Sequence, residues 1–207
     1  TDRAISMIRE SKASRPDTPF FLYFAHGAVH APLQAKRTDI DKYADVYQAG
    51  WDRIRRARYE RQKELGVIPA HAELPGRNTE PNHDVKPWDE LSVMEKELFA
   101  RYMAVFAGMV DNVDQNFGRL RDALDAMGEL DNTIIVFLSD NGGSREGELN
   151  GTSQYFRILT HQSGGEGEGD EELRIDHGRL DLIGGPQTLA HYPRAWGMVS
   201  STPFRLY

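Results

Sequence analysis

The chain has 207 residues, at the upper end of one domain's usual range, with 39% hydrophobic and 28% charged residues, the proportions of a globular protein that buries a core. Its formal charge of −7 argues against a nucleic-acid-binding surface, which needs a basic face, yet leaves room for a local positive cluster that takes a small anionic substrate. The cysteine count of 0 excludes disulfide scaffolds, thiolate metal sites and cysteine nucleophiles within this stretch and leaves the compartment open.

No apolar run approaches the roughly 20 residues of a transmembrane helix, so no membrane role is expected. No signal-peptide pattern opens the chain. It starts at Thr1 inside a helix-like stretch and stops at Tyr207 inside the apolar-basic run PFRLY. Such ends read as those of a segment of a longer protein.

Residues 2–11 place Ala4, Ile5 and Ile8 on one helical face, with Pro16 and Pro19 ending the element. FFLYFA, residues 20–25, is a continuous apolar run whose length suits a strand buried on both faces. It leads into the loop HGAVHAP, residues 26–32. Residues 39–65 read as a helix interrupted near Gly50, with Gly66 as its C-terminal stop. Its many arginines are expected on a solvated face.

Residues 67–91 are proline-rich and loop-like. SVME, residues 92–95, matches a capping box, so a long helix should run to about Ala126. Leu98, Tyr102, Val105, Met109, Val113, Phe117, Leu120 and Leu124 give it one apolar face. Met94, Met103 and Met109 read as core filler. Gly128 is the expected stop, and TIIVFLS, residues 133–139, is the clearest strand. Strand, long helix, strand is the pattern of a crossover in a parallel sheet. SGGEGEGDEE, residues 163–172, is expected to form a mobile surface loop.

Ligands of open α/β sheets bind outside the carboxyl ends of the strands. The two best strands end in HGAVH and SDNGG, so one site can collect both ends. Asp140 and Asn141 offer a carboxylate and an amide oxygen, hard donors that suit Ca²⁺ or Mg²⁺. Neighbours in a strand point to opposite faces, so both reach one ion only if the chain turns, and Gly142-Gly143 permit a turn. The same tetrapeptide is also good turn chemistry without a metal. His26 and His30 offer imidazoles for an oxyanion or a leaving group, or are loop histidines bonded to backbone.

Taken together these residues resemble the type I sulfatases, the arylsulfatase branch of the alkaline-phosphatase-like superfamily. PFFLYFAHGAVHAPLQA (19–35), YQAGWDRIRRARYERQKELGVIP (47–69), RYMAVFAGMVDNVDQNFGRL (101–120), LDNTIIVFLSDNGGSREG (130–147) and WGMVSSTPFRLY (196–207) carry the resemblance, in order along most of the chain. It implies an α/β fold, a largely parallel sheet flanked by helices, of which this chain is an incomplete part. Residues 1–207 would belong to a single catalytic domain with a loop-rich insertion at about 144–195.

The implied activity is sulfuric ester hydrolysis by a formylglycine hydrate, assisted by a divalent cation, Ca²⁺ first and Mg²⁺ second. Asp140 and Asn141 match the later half of the metal ligands. His30, in its His-Ala-Pro context, matches the histidine that contacts the sulfate or protonates the leaving group, in preference to His26. The nucleophile motif, Cys/Ser-x-Pro/Ala-x-Arg, precedes the matching stretch in the family, so no nucleophile is assigned within this chain and the chain alone is expected to be inactive. The implied partner is a small-molecule sulfate ester, with no nucleic acid and no membrane. A phosphate or phosphonate monoester hydrolase of the same superfamily and a catalytically inactive binding homologue are the alternatives.

Overall fold

A computed structural model describes residues 1–160 and 170–205. Its helices are α1 (Asp2–Ser14), α2 (Arg37–Ile40), α3 (Trp51–Glu64), α4 (Val93–Ala126), α5 (Tyr155–Thr160), α6 (Asp170–His177) and α7 (Arg194–Ser200). The longest, α4, starts where the capping box places it. The Ser92 hydroxyl accepts the Glu95 N–H at 3.2 Å, and the Glu95 carboxylate accepts the Ser92 N–H at 2.7 Å. Gly128, at φ +71°, turns the chain beyond its end. Leu98, Tyr102, Val105, Met109 and Leu124 of the apolar face are buried, while Val113, Phe117 and Leu120 are half-buried. Met103 joins the core, and Met94 packs against it.

The expected α/β architecture, a largely parallel sheet flanked by helices, is not what forms. Among the described residues there is no β-strand, only isolated bridges between Leu33 and Ala190, Thr152 and His191, and Gln154 and Leu189. Residues 20–25 and 133–139 are irregular and solvent-facing: Phe21 and Ile134 are each 93% exposed. The physical reason lies in where the hydrogen bonds go. A helix closes its backbone bonds within its own sequence, whereas a strand needs a neighbour's N–H and C=O groups. Neither segment meets such a neighbour among the described residues, so β-branched and aromatic composition alone leaves them unpaired.

The core is aromatic. Trp51 meets Trp88 edge-on at 4.8 Å and Trp196 edge-on at 5.7 Å between ring centroids, and it stacks on Phe99 at 6.0 Å. Gly50, at φ +82°, lets the chain enter α3 beneath this cluster. A Cβ there would lie 2.3 Å from the Trp88 ring. Trp196 is fully buried, and its indole N–H donates to the Phe99 carbonyl at 2.9 Å. One side chain thereby joins α7 to both α3 and α4.

The basic face of α3 departs from the solvated reading. Arg55 is buried, and its guanidinium donates to the Pro75 carbonyl at 2.7 Å and the Phe204 carbonyl at 3.3 Å. Arg58 donates to the Ser200 carbonyl at 3.4 Å and Gln62 to the Thr202 carbonyl at 2.8 Å. These positions share one helical face, so α3 holds the backbone of residues 200–204 through three side chains. Arg56 and Arg61 remain exposed, as expected for a solvated face.

Buried carboxylates lock other helices onto α4. Asp176 of α6 accepts the Tyr102 hydroxyl at 2.6 Å, the Ser153 N–H at 2.9 Å and the Ser153 hydroxyl at 2.5 Å. Of the acidic stretch 163–172, residues 170–172 start α6 and the rest lies outside the described residues. Asp39 of α2 accepts the Gln115 and Asn112 amides at 2.9 and 3.1 Å and pairs with Lys42 at 3.2 Å. The Gln115 bond, ahead of those from Asn112 and Lys42, holds its carboxyl below the usual carboxylate range against the opposing effect of burial.

Two predictions follow from this packing. Trp196→Ala is expected to cost about 3–5 kcal/mol in urea unfolding, because it empties a large site and removes the bond from the indole to the Phe99 carbonyl. A loss under roughly 1 kcal/mol would show that α7 is held elsewhere. For Asp39, the folded pKa lies below the unfolded one. Its contribution is therefore whole at neutral pH and is lost as pH falls through the lowered folded value. Asp39→Asn should flatten the decline of unfolding free energy between about pH 5 and pH 2, and an unchanged slope counts against this linkage.

Candidate active site

Asp140 and Asn141 sit on a turn at the end of the exposed run 133–139. The Ser139 hydroxyl donates to the Asn141 carbonyl at 2.8 Å, which folds the backbone around Asp140. The Asn141 side-chain N–H donates to the Gly142 carbonyl at 2.8 Å, so its amide oxygen is left open. Asp140 is exposed and makes no hydrogen bond or ion pair among the described residues. An open amide oxygen and an unpaired carboxylate are what a hard cation takes as ligands.

The glycines that follow serve a different purpose from the one expected. Gly142 and Gly143 are not in the left-handed region. Their need is for close approach. A Cβ on Gly143 would lie 2.8 Å from the Gly197 carbonyl oxygen and 2.8 Å from the Ser200 Cβ. The turn itself comes from Ser139.

His30 lies on an exposed loop whose N–H donates to the Gly27 carbonyl at 3.1 Å. Its Nδ1 is 2.7 Å from the Ala31 carbonyl oxygen. A carbonyl only accepts, so Nδ1 carries the proton, and Nε2 is the atom left for chemistry. His26 is also exposed, with its ring 4.3 Å from that of Phe24.

The strap formed by residues 189–192 stands between the two loops. On one side the Leu33 N–H, just past His30, donates to the Ala190 carbonyl at 2.7 Å. On the other, Thr152 and His191 exchange backbone bonds of 3.0 and 2.8 Å. His191 is buried, with Nδ1 2.9 Å from the Tyr192 carbonyl oxygen and its ring stacked on Tyr155 at 5.5 Å. Burial pulls its pKa down, the Tyr192 carbonyl and Glu146 pull it up, and His30 pulls it down again. The Tyr155 hydroxyl donates to Glu146 at 2.8 Å; burial first, then this carboxylate, pushes the phenol up to about 12.

Leu33, three residues past His30, and Ser144, three residues past Asn141, thus both bond to the strap, the latter through its N–H to the Tyr192 hydroxyl at 3.1 Å, but no hydrogen bond joins His30 to Asp140 or Asn141 among the described residues. No three His, Asp or Glu side chains among the described residues gather as a metal site. Sequence reasoning missed His191, Tyr155 and Glu146. It also missed that Ser11-Lys12-Ala13-Ser14-Arg15 fits the nucleophile pattern letter for letter. That stretch closes α1, where Ser14 donates to the Glu10 carbonyl at 2.6 Å and Lys12 pairs with Glu129 at 2.8 Å. No hydrogen bond ties it to either candidate loop among the described residues.

Known proteins are similar to this chain in sequence. An uncharacterised sulfatase of Schizosaccharomyces pombe is 42% identical over 206 residues, 98% of this chain and 34% of its own length. An arylsulfatase of Klebsiella aerogenes is 29% identical over 196 residues, 95% of this chain and 38% of its own. An arylsulfatase of Clostridium perfringens is 26% identical over 142 residues, 69% of this chain and 25% of its own. The chain thus spans about a third of the length of the first two. With residues 1–177 also matching the family's own pattern, the chain belongs to the sulfatase family.

Proposed function

We propose that the protein carrying this chain hydrolyses sulfate esters. Asp140 and Asn141 supply part of a divalent-cation site, and His30 acts at the sulfate or the departing oxygen. The observation that carries the reading is the Ser139–Asn141 turn. In a chain of the sulfatase family, it offers an unpaired carboxylate beside an amide whose nitrogen is already bonded.

The donors are two hard oxygens, which fit calcium first and magnesium second. When bound, such a cation neutralises charge on the sulfate oxygens and helps hold the nucleophile in line. Two ligands do not fill a shell of about 6–8 oxygens, so the remaining donors come from outside the described residues. Asp140 brings carboxylate oxygens, while Asn141 brings a neutral amide oxygen. His30 has Nε2 free in the Nδ1–H tautomer. Protonated there, it donates to an ester oxygen and offsets the charge that builds as the bond breaks.

Formylglycine hydrate is the nucleophile in this reading and lies outside this chain, so residues 1–207 alone are expected to show no turnover. The names of the two arylsulfatases make an aryl sulfate the first substrate to test.

In the full-length protein, Asp140→Ala should lower both bound calcium and turnover, the latter by about 100-fold or more. His30→Ala should cut kcat by roughly 100- to 10,000-fold and leave calcium content near wild type. Metal analysis and rates on matched aryl sulfate and aryl phosphate check both. Unchanged calcium in Asp140→Ala, or full activity in His30→Ala, refutes the assignment. A faster rate on the phosphate moves the protein to phosphoester chemistry.

A further inference from the structure

A cation ligand must be held still, and the residues before Asp140 do not do this. Among the described residues, 134–138 make no backbone hydrogen bond, Phe137 meets Phe117 edge-on at 6.0 Å, and all but Ile135 are more than two-thirds exposed, with Leu138 74% exposed immediately before the turn. The support comes from the other side. The N–H groups of Gly143 and Ser144, consecutive in the chain, donate to two side-chain hydroxyls from distant sequence. Gly143 donates to Ser201 Oγ at 3.0 Å, and Ser144 donates to Tyr192 Oη at 3.1 Å.

These acceptors flank α7. Tyr192 lies two residues before its first residue, and Ser201 caps its end. Between them the backbone of the loop lies directly on the helix. A Cβ on Gly142 would meet Ser201 Oγ at 3.0 Å, and one on Gly143 would lie 3.1 Å from the Gly197 Cα. A Cβ on Gly147 would come within 1.9 Å of the Tyr192 carbonyl oxygen. Only glycine fits at positions 143 and 147, and both contacts involve backbone that cannot swing aside.

The platform is itself rigid. Tyr192 is buried, meets Phe106 edge-on at 5.2 Å, and burial pushes its phenol up to about 12. It therefore stays neutral at physiological pH. Ser201 is held from behind, its N–H donating to the Gly197 carbonyl at 3.0 Å. Arg194, at the head of α7, donates to the Asp84 carboxylate at 2.7 Å, the Asp84 carbonyl at 2.9 Å and the Asn82 carbonyl at 2.8 Å.

We infer that Tyr192 and Ser201 are positioning residues for the cation site: by accepting two successive amides, they fix the loop that presents Asp140 and Asn141 and so set its affinity for the ion. The inference rests on the reading of Asp140 and Asn141 as ligands. Neither hydroxyl is given a part in the chemistry. Each acts through the backbone, two to four residues from the ligands.

The test is calcium titration by calorimetry on the full-length protein after stripping with chelator, with melting temperature in chelator measured in parallel. Tyr192→Phe and Ser201→Ala should each bind calcium roughly three- to tenfold more weakly, as loss of one hydrogen bond predicts. Melting in chelator should stay near wild type, because the loop's own apolar residues are exposed. Ser201→Thr keeps a hydroxyl and should restore affinity to within about twofold of wild type. If both hydroxyl deletions keep wild-type affinity while Asp140→Ala abolishes binding, the inference fails and the site stands. If melting falls in chelator while affinity is unchanged, the two residues are structural only, and the inference fails. If calcium binding survives Asp140→Ala, the reading on which the inference rests fails first.

Discussion

Burial of Trp196 is the interaction on which the rest depends. Its ring fills the angle between Trp51 of α3 and Trp88 of the preceding loop, and its N–H has one partner, the Phe99 carbonyl of α4. Apolar burial alone tolerates a slide of one helix over another. A directional bond inside a dry aromatic cluster does not, since any other register leaves a polar group unpaired. The ring therefore fixes both the position and the rotation of α7. Gly197, Ser200 and Ser201 follow at their places on that helix, and the loop carrying Asp140 is laid against them. Arg55, Arg58 and Gln62 of α3 then hold the chain beyond α7 by its carbonyls. The hydrophobic core reaches the candidate site by this short route.

What was legible in the sequence was what is local. The capping box at Ser92 and Glu95, the apolar repeat from Leu98 to Leu124, the break at Gly50 and the stop at Gly128 each need only neighbours within about four residues. Each forms as read. The runs FFLYFA and TIIVFLS failed as strands for the complementary reason. Their composition states a preference for a pleated, covered surface, but hydrogen bonds to make a strand come from another segment. Arg55 of α3 was misjudged in the same way. Charge density marks a solvated helix only until a carbonyl-rich backbone passes alongside, and Arg55 meets two such carbonyls.

At the candidate site, the donor types of Asp140 and Asn141 are visible in the sequence, and what supports their loop is not. Asp140 and Asn141 advertise hard oxygen donors by chemistry alone. Their turn was credited to two glycines, whereas Ser139 makes it and the glycines clear space for α7. Nothing near SDNGG in sequence announces this. The clash partners lie some fifty residues on, in HYPRAWGMVSS, and a Cβ that does not fit is a property of packing. The letter match at Ser11–Arg15 shows the opposite error. A pattern of five residues recurs by chance, and its place at the end of α1, away from both candidate loops, deprives it of the context that would give it meaning.

His30, beside the strap, and His191, within it, show how environment divides similar side chains. Each has Nδ1 against the carbonyl of the next residue, at 2.7 Å for His30 and 2.9 Å for His191, so both rings are held in the same tautomer. Their exposure differs. His191 is stacked on Tyr155 and buried, and desolvation makes the charged form costly. A proton placed on it must also repel a charge on His30. His30 is open to water, and its Nε2 is uncommitted. Two imidazoles close enough to sense one another do not both carry charge readily. The strap thus does more than meet two loops: it keeps His191 dry and leaves His30 at the surface, where the proposed reaction needs an imidazole that can reach the ester.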